Sequence, residues 1–460
     1  VTIDGQGQNN LAPRFGLSWQ ILPDSNRLVL RGGYGMYYSH ISGDAGPLNL
    51  DNAIRGSGSQ GLSGVNAVNF TMQNPFVPLP PNRTVCGGGT WESCKSKIVW
   101  SRDPYSPTTN QSMGGMEMSY RPPVTHQYGL NIQSELAQNM LLEVGYVGSR
   151  GLHMISSTPT NTAMLASPSN PIRGVTTNTV ANARLRVPIL GFTPTGIDLV
   201  GNSGAFWYNG LQASLTKRMS RGLQAMASYT FARTMDLDGN RAFLTYAGAK
   251  GVHLGDPRAG KKQAYGRSET GRDHRFVLSY VYQLPGLGAS DSFIRKVVGG
   301  WVLSGVTVLQ TGTPMTISYT NTNNVLGKTT DRASLKAGCT YGDLRISGRT
   351  QDRLKQYFNT SCLTTPAVVG DDGRATGFGN LGVSIIDGPG QRNTDISIVK
   401  TIPLGFIENK SLEFRSEFFN LFNTANFSNP ATDFNNSDFG RISTTAVNPR
   451  FVQLALKFIF

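Results

Sequence analysis

A period of two runs through most of this chain. In the first clear segment Phe15, Leu17, Trp19 and Ile21 share one parity, while Arg14, Gly16, Ser18 and Gln20 share the other. That spacing sends alternate side chains to opposite faces of a β-strand. A short turn, Pro23 to Asn26, predicts a reversal. The pattern then returns in Arg27 to Ser39, with Leu28, Leu30, Tyr34, Met36 and Tyr38 against Val29, Arg31, Gly33 and Gly35.

The same paired unit recurs along the chain. Val124 to Leu136 turns through Ala137-Gln138-Asn139 into Met140 to Arg150, and Trp207 to Arg218 turns through Met219-Ser220-Arg221 into Gly222 to Arg233. Each reads as a hairpin with a tight turn at one end. Arg275 to Leu284 carries Phe276, Leu278, Tyr280 and Tyr282 on one face, and Trp301 to Tyr319 returns after a linker in which Phe293 to Val298 predicts a short helix. The parity of that return strand is ambiguous. Thr394 to Ile402 and Ser411 to Phe422 follow, and the chain closes on Val452, Leu454, Leu456, Phe458 and Phe460 against Gln453, Ala455 and Lys457.

This gives about eleven strands of roughly ten residues, with connections alternating between a few to some fifteen residues and about twenty-five to eighty-odd. Short turns at one end and long loops at the other, with apolar-out and polar-in alternation, characterise transmembrane β-barrels. The predicted fold is therefore all-β, an antiparallel transmembrane β-barrel. A soluble sandwich or propeller predicts no such loop asymmetry. Hydrocarbon cannot hydrogen-bond a backbone, so a sheet crossing it must be closed and keep polar side chains inside. Where the alternation is clear, mid-strand charges do sit on the polar parity. Lys217 and Lys400 share parity with apolar neighbours, but near the short-turn end, where a long side chain snorkels cheaply. Tyr37, Tyr38, Trp207, Tyr208 and Tyr319 lie near strand ends and are expected to form aromatic girdles.

An odd strand count whose first strand starts on the long-loop side is not a complete bacterial barrel, since those have even counts. The chain opens Val1-Thr2-Ile3-Asp4, with no initiator Met and no signal peptide pattern. Residues 1–460 are thus expected to form an incomplete half, the C-terminal part of a larger barrel, with two unpaired sheet edges.

Several strand-turn runs carry a family resemblance. Asn9 to Gly16, Leu142 to Gly151 (Leu-Glu-Val-Gly-Tyr-Val-Gly-Ser-Arg-Gly), Tyr208 to Gln212 and Ser228 to Ala232 resemble the C-terminal half of Oar-like TonB-dependent receptors. So do Asp273-His274-Arg275-Phe276, Gly388 to Asn393 and Glu417 to Asn423, whereas the long loops match little. The resemblance implies a barrel of about 22 strands with a plugged lumen, energy-coupled uptake, and an N-terminal plug and regulatory-like domain, neither of which can be placed on this chain. The ending Leu456, Phe458, Phe460 resembles the C-terminal signal read by the barrel assembly machinery. Apolar alternation demanded of any lipid-facing last strand explains it equally.

Composition narrows the function. Charged residues make up 15% and there are 54 glycines, against 42 Lys plus Arg and 28 Asp plus Glu, which excludes a coiled coil or a charge-rich disordered chain. No run approaches the 18 apolar residues of a membrane-spanning helix. Cys86 with Cys94 and Cys339 with Cys362 form two locally spaced pairs, expected as disulfides of an oxidising compartment, with free buried thiols as the alternative. Neither has CxxC spacing or nearby histidines, and His40, His126, His153, His253 and His274 form no HExxH or i, i+4 pair, so no metal or cofactor site is predicted. Asp273-His274-Arg275 invites a catalytic reading but is expected to begin a strand at the outer interface.

The runs Gly56 to Gly61 and Gly377 to Gly382 match GxGxxG but fall in long loops without the strand-to-helix context of a dinucleotide site. Gly327-Lys328-Thr329 lacks the earlier glycine of a P-loop, and no GxSxG elbow occurs. No enzyme is predicted. The net charge of +14 is scattered, including Gly260-Lys261-Lys262, and forms no basic stripe interleaved with aromatics, so no nucleic-acid partner is expected. The loops His40 to Pro123, stiffened by Pro75, Pro78, Pro80 and Pro81, and Thr320 to Asn393 are where a ligand would first be met.

The leading expectation is a receptor barrel of the bacterial outer membrane for energy-coupled uptake of an unidentified ligand. Its expected partners are membrane lipid and lipopolysaccharide, the assembly machinery and a TonB-type coupling protein reached through the N-terminal region. A non-transporting surface structural or adhesion protein on the same scaffold is the alternative, and a soluble all-β binding protein the third reading.

Overall fold

The structure is a computed structural model, and it describes residues 10–22, 27–39, 111–116, 121–190, 192–237, 263–285, 299–404 and 410–460. The expected Cys86–Cys94 pair, the Gly56 to Gly61 run, the Pro75 to Pro81 stretch, Gly260 to Lys262, the Pro23 to Asn26 turn and the Phe293 to Val298 helix lie outside them.

Eleven strands follow one another in chain order through a single sheet: β1 (Arg14–Gln20), β2 (Leu28–Tyr38), β3 (Val124–Ala137), β4 (Met140–Pro159), β5 (Phe192–Ser220), β6 (Leu223–Asp236), β7 (His274–Gln283), β8 (Trp301–Gln310), β9 (Gln391–Pro403), β10 (Ser411–Phe419) and β11 (Phe451–Ile459). All neighbours on this path are antiparallel. Two short strands join from the side: Gln111–Met116 pairs in parallel with β5, and Gly266–Arg267 extends the edge of β6. β1 and β11 do not pair with each other, so the sheet is open, as the odd strand count predicts.

Register turns the sequence alternation into faces. One cross-strand row reads Leu17, Gly32, Leu130, Tyr146, Leu211, Phe231. The adjacent row reads Ser18, Arg31, Asn131, Gly145, Gln212, Thr230, Arg275. Toward the last strand the apolar face continues through Ile402, Leu412 and Phe458, and the polar face through Thr401, Glu413 and Lys457. Arg415 lies on that polar face with its guanidinium 3.2 Å from Glu413 and 3.7 Å from Glu417. On the apolar face Leu211, Leu454 and Leu456 are 45%, 66% and 67% exposed, so that face has no protein layer over it among the described residues.

The two lysines of apolar parity are held at the short-turn end. Lys217 Nζ donates to Ser220 Oγ at 2.6 Å, while Lys400 Nζ donates to the Gly299 carbonyl at 2.5 Å and lies 5.1 Å from the centre of the Trp301 ring. Tight turns are made where the chain accepts a left-handed backbone: Asn139 at φ 64°, and Arg221 and Gly222 at 50° and 76°.

The aromatic girdle differs from expectation. Tyr37 and Tyr208 share parity with the polar rows, and Arg14 stacks 4.6 Å over the Tyr37 ring on that face. Tyr319 belongs to a loop core, edge-on to Phe434 at 5.6 Å. Only Tyr38 and Trp207 keep the apolar parity; Tyr34, Tyr128, Tyr146 and Tyr229 complete the belt on that face. A strand glycine seats one of these rings. A Cβ on Gly148 would fall 2.0 Å from Tyr128, which therefore lies flat across β4. Gly148→Leu is expected to cost about 1 to 3 kcal/mol by overpacking, read as a lower urea midpoint in lipid vesicles, while Ser149→Leu, one position on, costs less.

Three strand boundaries depart furthest from the predicted ones, beside shifts of three residues at Gln391 and Phe419. β4 and β5 overrun their predicted ends as a long ribbon, passing register shifts between Gly151 and Met154 and between Met154 and Ser156 that break the period of two. The strand predicted over Trp301 to Tyr319 stops at Gln310, because the next backbone is crowded: a Cβ on Gly312 would sit 1.8 Å from the Gly388 carbonyl oxygen.

Candidate functional site

Among the described residues, the connections 160–190, 311–390 and 420–450 fold against one another at one end of the sheet. Residues 311–390 build short strand pairs, Pro314–Met315 with Ile386–Asp387, Ser318–Thr320 with Thr330–Arg332, and Ser334–Leu335 with Leu363–Thr364. They enclose a core of Ile317, Leu344, Phe358 and Leu381, each at most 1% exposed. Burying such side chains contributes about 1.5 to 3 kcal/mol each. Phe434 and Phe439 of the last loop pack into the same core, Phe439 edge-on to Phe358 at 5.2 Å. Cys339 and Cys362 are bonded to each other at the margin of this core. The cross-link thus sits on a packed loop.

A second clasp joins residues 160–190 to that loop. Arg186 is fully buried; its guanidinium donates to the carbonyls of Met164, Thr179 (3.1 Å) and Val325 (2.6 Å) and to Asn182 Oδ1 (2.8 Å). Ala163 N donates to Leu326 O, and Asn178 N donates to Asp371 Oδ2 at 2.6 Å. Leu165, Val368 and Val369, which flank this clasp, are more than half exposed.

Asp331 anchors the interior. It accepts from Asn321 Nδ2 at 2.9 Å, Arg332 N at 2.7 Å and Gly379 N at 3.1 Å. Burial pushes its carboxyl above the usual range, with these hydrogen bonds opposing the shift. Gly379 belongs to the run Gly377 to Gly382, and a Cβ there would lie 1.8 Å from the Arg332 carbonyl oxygen. Close backbone approach, with no phosphate site implied, accounts for that glycine.

Of the family-like motifs, Asp273 to Phe276, Gly388 to Asn393 and Glu417 to Asn423 fall at strand-loop junctions, whereas Leu142 to Gly151, Tyr208 to Gln212 and Ser228 to Ala232 lie within strands. Asn420 N donates to Asp395 Oδ1 at 2.7 Å and its side chain bridges Thr424 and Asn448, while Asn423 Oδ1 accepts from Arg450 N. Asn426, 2% exposed, is bonded to both the N–H and the carbonyl of Arg392. His274 begins β7 and stacks on Phe231 at 4.9 Å, with Tyr229 Oη 2.8 Å from its Nδ1, as expected of an interface residue. At this junction a cleft of about 900 Å3 opens beside Tyr229, His274, Phe276, Leu309 and Arg392. Its acidic groups are already matched: Arg267 lies 3.0 Å from Asp273 and 2.6 Å from Asp387.

Leu456 and Phe458 lie on the apolar face of β11, and Phe460, just beyond its end, is 89% exposed and stacked on Phe458. Among the described residues no cluster of His, Cys, Asp and Glu could hold a metal ion. No described helix is long and apolar enough to cross a membrane, which says nothing of a β-barrel. The buried Arg186, Asp331, Asn420 and Asn426 have no periodic signal that would have marked them in sequence.

Hydrogen bonds from Thr340 Oγ1 and Thr340 N, both 2.7 Å, hold Asp343 below the usual carboxylate range; Ala375 N and Arg374 N do the same for Asp372. A lowered folded pKa contributes stability above the unfolded value and loses it as pH falls through the folded one. Acidification below about pH 4 is therefore expected to lower the hydrogen-exchange protection factors of Thr340 N and Ala375 N before those of the strand amides.

The family model described as outer membrane beta barrel domain matches residues 3–453. Among solved structures, the outer membrane transporter YddB from Escherichia coli shares 10% identity over 98% of this chain and 41% of its own, at a TM-score of 0.47. A mutant ferric enterobactin receptor PfeA from Pseudomonas aeruginosa shares 11% over 98% and 40%, at 0.43. The ferric preacinetobactin receptor BauA from Acinetobacter baumannii shares 10% over 98% and 36%, at 0.37. The chain thus spans well under half the length of these structures. Comparison with the curated proteins finds no match.

Proposed function

The chain belongs to the outer membrane beta barrel domain family and resides in the bacterial outer membrane, and from that premise we propose that it forms the C-terminal wall and outer mouth of a receptor for energy-coupled ligand uptake. One observation supports this most: the described loops on a single end of the sheet are folded, cross-linked and clasped to one another, which a passive wall does not require. Ordered loops on a rigid scaffold offer a preformed surface for recognition. The exposed Leu165, Val368 and Val369 beside the clasp are the apolar part of that surface. The motifs resembling Oar-like receptors extend the reading to TonB-type coupling through an N-terminal region, and Leu456, Phe458 and Phe460 to recognition by the assembly machinery. A surface adhesin on the same scaffold remains the second reading, favoured by the same exposed apolar side chains.

The test compares compounds depleted from the medium by cells with and without the protein, each with a functional or an inactive energy-coupling system. Uptake predicts depletion that requires both. Depletion unaffected by loss of coupling, or cell attachment lost without any change in depletion, contradicts the reading.

A further inference from the structure

We propose that the polar, lumen-facing side of the sheet carries a binding site for a small polyanion at its loop end, formed by Arg272 and Arg275. The inference rests on the uptake reading and deepens it, naming the class of compound that such a receptor would take. Register places Arg275 on the polar face, opposite Thr230 of β6 and Gln310 of β8. Arg272 stands three residues earlier, in the turn that leads into β7. That turn lies on the same face: a Cβ on Gly271 would fall 3.4 Å from the Thr234 side chain, and Thr234 shares the parity of Thr230. The Arg272 guanidinium donates to the Thr311 carbonyl, and Thr311 is bonded in turn to both the N–H and the carbonyl of His274. Among the described residues neither arginine has a carboxylate within ion-pair distance, and the exposed Arg275 side chain makes no hydrogen bond.

The surroundings are donors without acids. The polar row through Gln212, Thr230 and Arg275 continues into Gln310 and Gln391 with no carboxylate in it. Gln310 Nε2 donates to Gln391 Oε1, which leaves the Gln391 amide N–H groups as further donors. The acids beside this junction, Asp273 and Asp387, are held by Arg267. Burial, and the Arg275 charge beside it, hold the Arg272 guanidinium below its usual range. An anion set between the two guanidiniums removes that repulsion. Each guanidinium offers two parallel N–H groups to one carboxylate or phosphate, so the pair suits a ligand with at least two such groups. The formal charge of +14 favours the approach of anions over cations.

The test is equilibrium dialysis of the full-length protein in nanodiscs at low ionic strength against labelled tricarballylate, pyrophosphate and, as a neutral control, sucrose. The unaltered protein should bind at least one polyanion and no sucrose, and the tighter of the two assigns the ligand as a carboxylate or a phosphate. Arg272→Gln with Arg275→Gln should weaken that binding at least ten-fold. Arg275→Gln alone, which removes no hydrogen bond of the described fold, should weaken it at least three-fold. Arg272→Lys with Arg275→Lys should restore part of it, and Arg31→Gln, in the same polar row on β2, should leave it unchanged. Binding of neither polyanion, or equal binding by Gln variants that fold normally, overturns the proposal. Dialysis needs no energy coupling, so the two readings fail separately. Arginine-dependent binding without coupled depletion from the medium keeps the anion site and removes uptake. Coupled depletion of neutral or cationic compounds alone keeps uptake and overturns the anion site.

Discussion

Leu211→Arg is expected to destabilise the folded protein in a bilayer by roughly 2 to 4 kcal/mol, whereas Gln212→Arg, one residue along β5, costs under about 1 kcal/mol. Leu211 sits in the apolar row between Tyr146 and Phe231, midway between the rim at Trp207 and the lysine at 217. A guanidinium there meets hydrocarbon with no carboxylate in reach. Gln212 sits in the polar row between Gly145 and Thr230, where water and other polar side chains receive the charge. Urea titration of both variants refolded into lipid vesicles measures the difference. Equal losses would mean that the two faces of β5 meet the same medium.

Arg186→Met is expected to release the 160–190 loop from the 311–390 loop at a cost of about 3 to 5 kcal/mol. Methionine fills much of the volume, so the loss isolates the hydrogen bonds. It strands the carbonyls of Met164, Thr179 and Val325 and the Asn182 oxygen in a site that excludes water. Hydrogen exchange should rise at Ala163 N, which bonds across the clasp to Leu326 O, and at Met164 N, while β5 amides stay protected. Unchanged protection at Ala163 N would show that the loops are joined by something other than this arginine.

The strands were legible because a sheet with one greasy and one wet face writes its period into the sequence. Phe15, Leu17 and Trp19 or Leu454, Leu456 and Phe458 can be read off directly. β8 was ambiguous since Val302, Val306 and Val308 are apolar on the polar parity, and its end at Gln310 depends on backbone crowding between Gly312 and Gly388, a contact across the fold. The ribbon of β4 and β5 beyond Arg150 was hidden by register shifts that break the period. Proximity to a strand end does not by itself place a ring in the girdle, since parity turns Tyr37 and Tyr208 to the polar face.

The loops were legible only in part. Local cysteine spacing pointed to Cys339 with Cys362, but the core around Phe358 and Ile317 assembles from residues with no shared period. A buried Arg186 or Asp331 reads in sequence like any solvated loop charge.

Residue-by-residue spin labelling of positions 209–216 in β5, with the full-length protein in bilayers, tests the central claim most directly. Lipid-dissolved oxygen should relax labels at 211, 213 and 215 far more than those at 210, 212 and 214, and a water-soluble nickel chelate should show the opposite order. A flat profile, or oxygen favouring the even positions, would contradict a sheet whose Leu211 face meets lipid.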